Sequence, residues 1–95
     1  EYTMYYAHII TKDDIKNFKE TRLVVIHLFN NIKSCKHSVT QSLIAKPRDV
    51  HEVVIYRRYE NKSDQIHGYY EWTGDKLKLN RGIEPFVHNV MYGRA

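Results

Sequence analysis

The chain has 95 residues, 42% of them hydrophobic, with 15 Lys and Arg against 11 Asp and Glu. This length and hydrophobic content predict a single globular domain over residues 1–95 and exclude a disordered chain. The net charge of +4 favours an anionic partner such as nucleic acid. Because the chain starts at Glu1 rather than Met, the sequence is consistent with a domain cut from a larger protein.

The cysteine content and the hydropathy of the sequence indicate in which cellular compartment the protein is expected. Cys35 is the one cysteine, so no intrachain disulfide can form and a disulfide-stabilised secreted domain is excluded. Its basic neighbours, among them Lys33 and Lys36, predict a lowered thiol pKa. The sequence has neither a signal-peptide pattern nor an apolar run long enough for a membrane span. We therefore expect an intracellular protein, cytoplasmic or nuclear, with no membrane partner.

The first part of the chain reads as a strand followed by a helix. Residues 2–10 are rich in aromatic and branched side chains, which predicts a strand. Thr11 can cap a helix, and apolar residues at helical spacing then favour one long helix over 12–34. The alternative ends the helix near residue 20 and makes the branched run 23–28 a buried strand. Periodicity favours the long helix.

The rest of the chain predicts a short helix, a three-strand meander and a final helix. The helix covers 38–45, and the loop 46–49 around Pro47 leads into the meander. The predicted strands are 53–60, 65–73 and 76–80, and the last helix is 86–92. The fold class is thus α+β, with an antiparallel sheet of three to four strands, the meander 53–79 plus the N-terminal strand. Two or three helices should pack against this sheet.

Both turns of the meander predict the same division into two faces. A four-residue loop pairs Glu60 with Gln65, and a type II′ turn at Gly74 pairs Trp72 with Leu77. In this register Arg57 lies opposite Gly68 and is the exception on the apolar face. The apolar face comprises Val53, Ile55, Tyr59, Ile66, Tyr70, Trp72, Leu77 and Leu79. The polar face comprises Val54, Tyr56, Arg58, His67, Tyr69, Glu71 and Lys78.

Motifs for metal or cofactor chemistry are missing from the sequence. The six His residues, at 8, 27, 37, 51, 67 and 88, lack the close pairing of a metal site. The four glycines are isolated, so no nucleotide-binding loop is present. We therefore predict no metal and no cofactor.

The polar face of the meander is the candidate functional surface. In the favoured interpretation it binds nucleic acid, RNA more than DNA, in single-stranded form. Tyr side chains can stack on bases, and Arg can pair with phosphate. The predicted binding residues are Tyr56, Arg58, His67, Tyr69 and Lys78.

Two other interpretations stay open. The same face can be a solvated sheet surface or be covered by a partner protein, since cross-strand pairs such as Glu71 with Lys78 are ordinary in sheets. It can also belong to a metal-independent endoribonuclease with Glu71 as base, His67 as acid and Arg58 as the cation on the phosphorane. The sequence favours a binding protein over an enzyme, and it leaves the oligomeric state open.

Overall fold

A computed structural model describes residues 3–16 and 24–80, which form one five-stranded antiparallel sheet with two helices. The strand order is β2-β1-β3-β4-β5, so β3 is central. The strands are β1 Thr3–Thr11, β2 Val24–Phe29, β3 Val50–Tyr59, β4 Gln65–Trp72 and β5 Leu77–Leu79. The helices are α1 Lys12–Lys16 and α2 Ile32–Ala45. The α+β class is confirmed, with one strand more than predicted. The predicted helix 86–92 lies outside the described residues.

The long helix predicted over 12–34 is wrong. In the described residues α1 covers Lys12–Lys16, and Val24–Phe29 forms β2, which pairs with the first strand. The alternative with a strand in this region is the correct one. Branched side chains lose rotamer freedom in a helix and pack well on a pleated sheet, and this preference outweighed the helical phase.

Helix α2 begins earlier than the predicted helix 38–45. Asn31 caps it, because its side chain accepts a hydrogen bond of 2.7 Å from the backbone N–H of Ser34. Its buried residues are Cys35, Val39 and Leu43, spaced one turn apart. This stripe packs on one face of the sheet, which we call the helix side. Among the described residues, no helix is long and apolar enough to cross a membrane.

Apolar residues are buried on both faces of the central strands. On the helix side the core consists of Ala7, Ile9, Cys35, Val39, Leu43, Val53, Ile55 and Tyr70. On the opposite face, the far side, a second cluster comprises Tyr6, Ile10, Val54 and Tyr56, with Ile66 and Tyr69 packed against it. The prediction that the far side of the meander is a polar surface is therefore wrong at its centre.

The predicted strand register is confirmed at one turn of the meander and wrong at the other. The predicted register across the Gly74 turn is confirmed, since Trp72 pairs with Leu77 and Gly74 has φ +104°. The register between β3 and β4 is wrong, because Ile55 pairs with Gly68 while the next residue, Tyr56, pairs with Ile66. His67 is the extra residue of a β-bulge.

Two of the predicted inward positions differ in the structure, one because of the bulge and one because it lies on the edge strand. Ile66, predicted to share the face of Tyr70, packs on the far side instead. Leu79 is exposed at the sheet edge, whereas Trp72 and Leu77 are partly buried against the helix-side core as predicted.

Candidate nucleic-acid interface

Two of the predicted binding residues are built into the far-side core. Tyr56 is 1% exposed, and its ring stacks on Tyr6 with a centroid distance of 4.9 Å. The imidazole of His8 lies edge-on to the same ring, also at 4.9 Å. Tyr69 packs against this cluster and is partly exposed. Tyr56 is thus held by its neighbours and is closed to a stacking base.

Arg58 lies on the far side with its charge already compensated. Its Nη2 is 3.2 Å from Oδ2 of Asp64, and its guanidinium lies 5.0 Å from the centroid of Tyr6. The hydroxyl of Tyr6 donates to the same carboxylate at 2.6 Å. Burial acts to raise the pKa of Asp64, but the contacts with Tyr6 and Arg58 outweigh it and lower the pKa. Asp64 thus already takes the position at Arg58 that a phosphate would need.

The predicted catalytic arrangement is not assembled. Glu71 and Lys78 are cross-strand partners and both are exposed. Glu71 follows Tyr70, a helix-side residue, so it lies on the far side. His67 is turned to the helix side by the bulge. The structure therefore places His67 on the opposite side of the sheet from Glu71 and Arg58.

The bulge gathers a different set of residues on the helix side, which we call the Arg57 cluster. It comprises Tyr5, Lys36, Arg57, Tyr59 and His67. Nη2 of Arg57 lies 3.1 Å from Nδ1 of His67. Tyr5 is the cross-strand partner of Arg57 on β1, and its ring lies edge-on to His67 at 5.7 Å. All five side chains are partly exposed, so a ligand can reach them.

The contact between Arg57 and His67 fixes the imidazole tautomer. A guanidinium has only N–H donors, so Nδ1 of His67 must accept, and the proton of the neutral ring is on Nε2. Burial lowers the pKa of His67, and the charges of Arg57 and Lys36 lower it further. At neutral pH the ring is therefore an uncharged donor through Nε2–H.

The charge of Arg57 has no carboxylate to compensate it in the described part of the chain. The two ion pairs found there are Lys12 with Asp49 and Arg58 with Asp64. The Nε of Arg57 is buried and has no hydrogen-bond partner among the described residues. Hydrogen bonding with Tyr59 raises the pKa of the guanidinium. The cluster is therefore a cationic site without a counter-ion of its own among these residues.

Helix α2 contributes the second cation. The ammonium of Lys36 lies 4.8 Å from the centroid of Tyr70, whose ring is buried. That ring leans over Gly68, where an added Cβ would come within 3.2 Å of Tyr70 Cε1. The glycine thus leaves room for Tyr70, and Tyr70 in turn supports Lys36 beside the sheet.

The third feature of the cluster is its aromatic rim. Tyr59 follows Arg57 by two residues on β3 and so shares its face. The ammonium of Lys62 lies 4.4 Å from the Tyr59 centroid, and the Tyr59 hydroxyl donates to Gln65 Oε1 at 3.5 Å. With Tyr5 on the other side of Arg57, two tyrosine rings flank the cationic centre.

The sequence contained one signal of this site. In the alternating pattern, Arg57 opposite Gly68 was the exception, a charge on the face assigned to the core. The pattern could not show the bulge that adds His67 to that face.

Cys35 does not contribute reactive chemistry. It lies fully buried on the inner face of α2, and burial raises its thiol pKa to about 11. The prediction that its basic neighbours lower this pKa is wrong, because desolvation of the thiolate outweighs the neighbouring charges.

Comparison with protein-family models, with curated proteins and with solved structures found no match to this chain. The geometry of the Arg57 cluster is therefore the basis on which a function can be inferred.

Proposed function

We propose that the protein binds single-stranded nucleic acid, RNA in preference to DNA, through the Arg57 cluster, and that it does so without cleaving the strand. The contact between Arg57 and His67 carries this proposal. It holds the guanidinium of Arg57 against an uncharged imidazole, and the charge of Lys36 also acts on that ring. Phosphate oxygens accept hydrogen bonds and carry the negative charge that this site lacks.

Arg57 and Lys36 supply the charge for backbone binding. The positive charges of both side chains lower the pKa of the His67 imidazole, so both lie close enough to act on the same ligand. Neutralising phosphates with such side chains releases counter-ions, which makes the affinity depend strongly on salt.

The tyrosine rings favour single strands over duplex. Unpaired bases can stack on exposed aromatic side chains, and each such contact contributes about 1–3 kcal/mol. Tyr5 and Tyr59 flank Arg57 on the accessible part of the helix side. A strand whose phosphate lies at Arg57 can therefore place a base against either ring.

The same geometry argues against cleavage. A general base for the 2′-hydroxyl needs a free lone pair, and the lone pair on Nδ1 of His67 is already taken by Arg57. Nε2 carries the proton and can only donate. His67 accordingly positions Arg57 in this proposal and does not act as a base.

The test is a fluorescence titration of a single-stranded RNA at about 50 mM and 200 mM salt, with a cleavage assay on the same sample. We expect Arg57→Gln to weaken binding by about tenfold or more, because a hydrogen bond to a charged group contributes about 1.5–3 kcal/mol. It should also reduce the salt slope by about one. The RNA should stay intact.

Arg58→Gln is the matched control. It removes the same charge from the adjacent residue, but that residue lies on the far side and is paired with Asp64. Its affinity for RNA should stay close to that of the parent protein. Equal losses in both variants would show that only net charge matters. Absence of binding at low salt would reject the proposal and bring the protein-partner interpretation to first place.

A further inference from the structure

We infer that the Arg57 cluster takes a terminal phosphate of the strand, a phosphate monoester, in preference to an internal phosphodiester. This inference rests on the proposed function and narrows its substrate class.

The charge of the cluster favours a terminal phosphate. A terminal phosphate monoester carries about −1.5 to −2 at pH 7, whereas an internal phosphodiester carries a single negative charge. The cluster offers the guanidinium of Arg57, held by His67, and the ammonium of Lys36. Two positive side chains with no carboxylate among their described contacts match a dianion better than a monoanion.

The shape of the accessible surface on the helix side also favours a strand end. Two residues further along β1 and β3, the helix side is closed. Ala7 on β1 and Ile55 on β3 are each 0% exposed. On β4, Gly68 lies opposite Ile55 and is partly exposed beside the ring of Tyr70, which is 3% exposed. Accessible surface along β1 and β3 therefore ends at Tyr5 and Arg57.

Lys36 lies at this boundary, with its ammonium over the ring of Tyr70. A ligand that lies on the sheet and extends along the strands toward Tyr70 is therefore blocked by α2. A phosphate at Arg57 can continue outward past Tyr59 toward the loop 60–64, but it cannot continue inward. A strand end fits a site that is closed in one direction along the sheet.

The experiment compares three forms of one RNA sequence, with a 5′-phosphate, with a 3′-phosphate and with hydroxyls at both ends. Their dissociation constants are measured at one salt concentration. We expect one phosphorylated form to bind about tenfold more tightly than the unphosphorylated RNA, through the added charge-assisted contacts. Lys36→Gln and Arg57→Gln should bring this ratio near one, and Arg58→Gln should leave it unchanged.

Three outcomes would overturn the inference and are distinguishable. If the three RNAs bind equally and Arg57→Gln weakens all of them, the terminal preference is wrong while the proposed function stands. If none of the three binds, both fail. A ratio that survives Arg57→Gln would place the terminal phosphate elsewhere on the protein and overturn this assignment.

Discussion

Replacing Tyr56 with alanine should destabilise the protein strongly and leave the RNA site in place. The ring is 1% exposed, stacks on Tyr6 and contacts His8. Removing a large aromatic side chain from a core costs about 3–5 kcal/mol. Loss of the stacked pair adds about 0.5–1.5 kcal/mol. We therefore expect the free energy of unfolding to fall by about 4–6 kcal/mol.

Chemical denaturation followed by tryptophan fluorescence measures this loss, with thermal melting as a second readout. For a domain of this size, each kcal/mol lowers the melting temperature by about 4–8 °C. Tyr59→Ala is the control, since it makes the same chemical change at a partly exposed position on the helix side. It should cost about 1 kcal/mol or less in stability and weaken RNA binding. A Tyr56→Ala variant that stays as stable as the parent but loses RNA would refute the burial of the far side.

Three further predictions concern protonation and backbone conformation. The pKa values of His8, His51 and His67 are lowered, mainly by burial. The unfolded chain therefore binds more protons than the folded one, and the unfolding free energy should fall as the pH drops below about 6.5 in urea denaturation; His8→Phe should flatten this dependence. Native Cys35, with its pKa near 11, should react slowly with iodoacetamide at neutral pH and rapidly after unfolding, and fast native labelling would contradict its burial. Gly74→Ala should cost about 1–2 kcal/mol in thermal melting, because φ is +104° there and an added Cβ contacts nothing.

Local signals allowed the general fold to be predicted. The meander, the first strand and the turn at Gly74 each have their own residue pattern, and each was found in the described part of the chain. The region after α1 was predicted wrongly because a short branched run satisfies both helical and strand patterns. The choice between helix and strand is decided by the pairing of β2 with β1, and this tertiary contact cannot be read from the local sequence.

The candidate site was predicted in residue types but not in arrangement. The sequence pattern places His67 opposite Arg58, whereas the structure places it beside Arg57. A one-residue bulge moves a side chain to the other face. The isolated Gly68 within β4 is typical of a bulge, but the sequence does not show which neighbouring residue becomes the extra one. Lys36 could not be assigned to the site, because its contribution depends on how α2 lies across the sheet.

The decisive measurement is an NMR titration of the ¹⁵N-labelled protein with a single-stranded RNA carrying a terminal phosphate. The account predicts that shifts concentrate at Lys36, Arg57 and His67, with the His67 side-chain signals keeping the Nε2–H tautomer throughout. The far-side signals of Glu71 and Lys78 should barely move. Shifts confined to the far side, with Arg57 and His67 unchanged, would contradict the account.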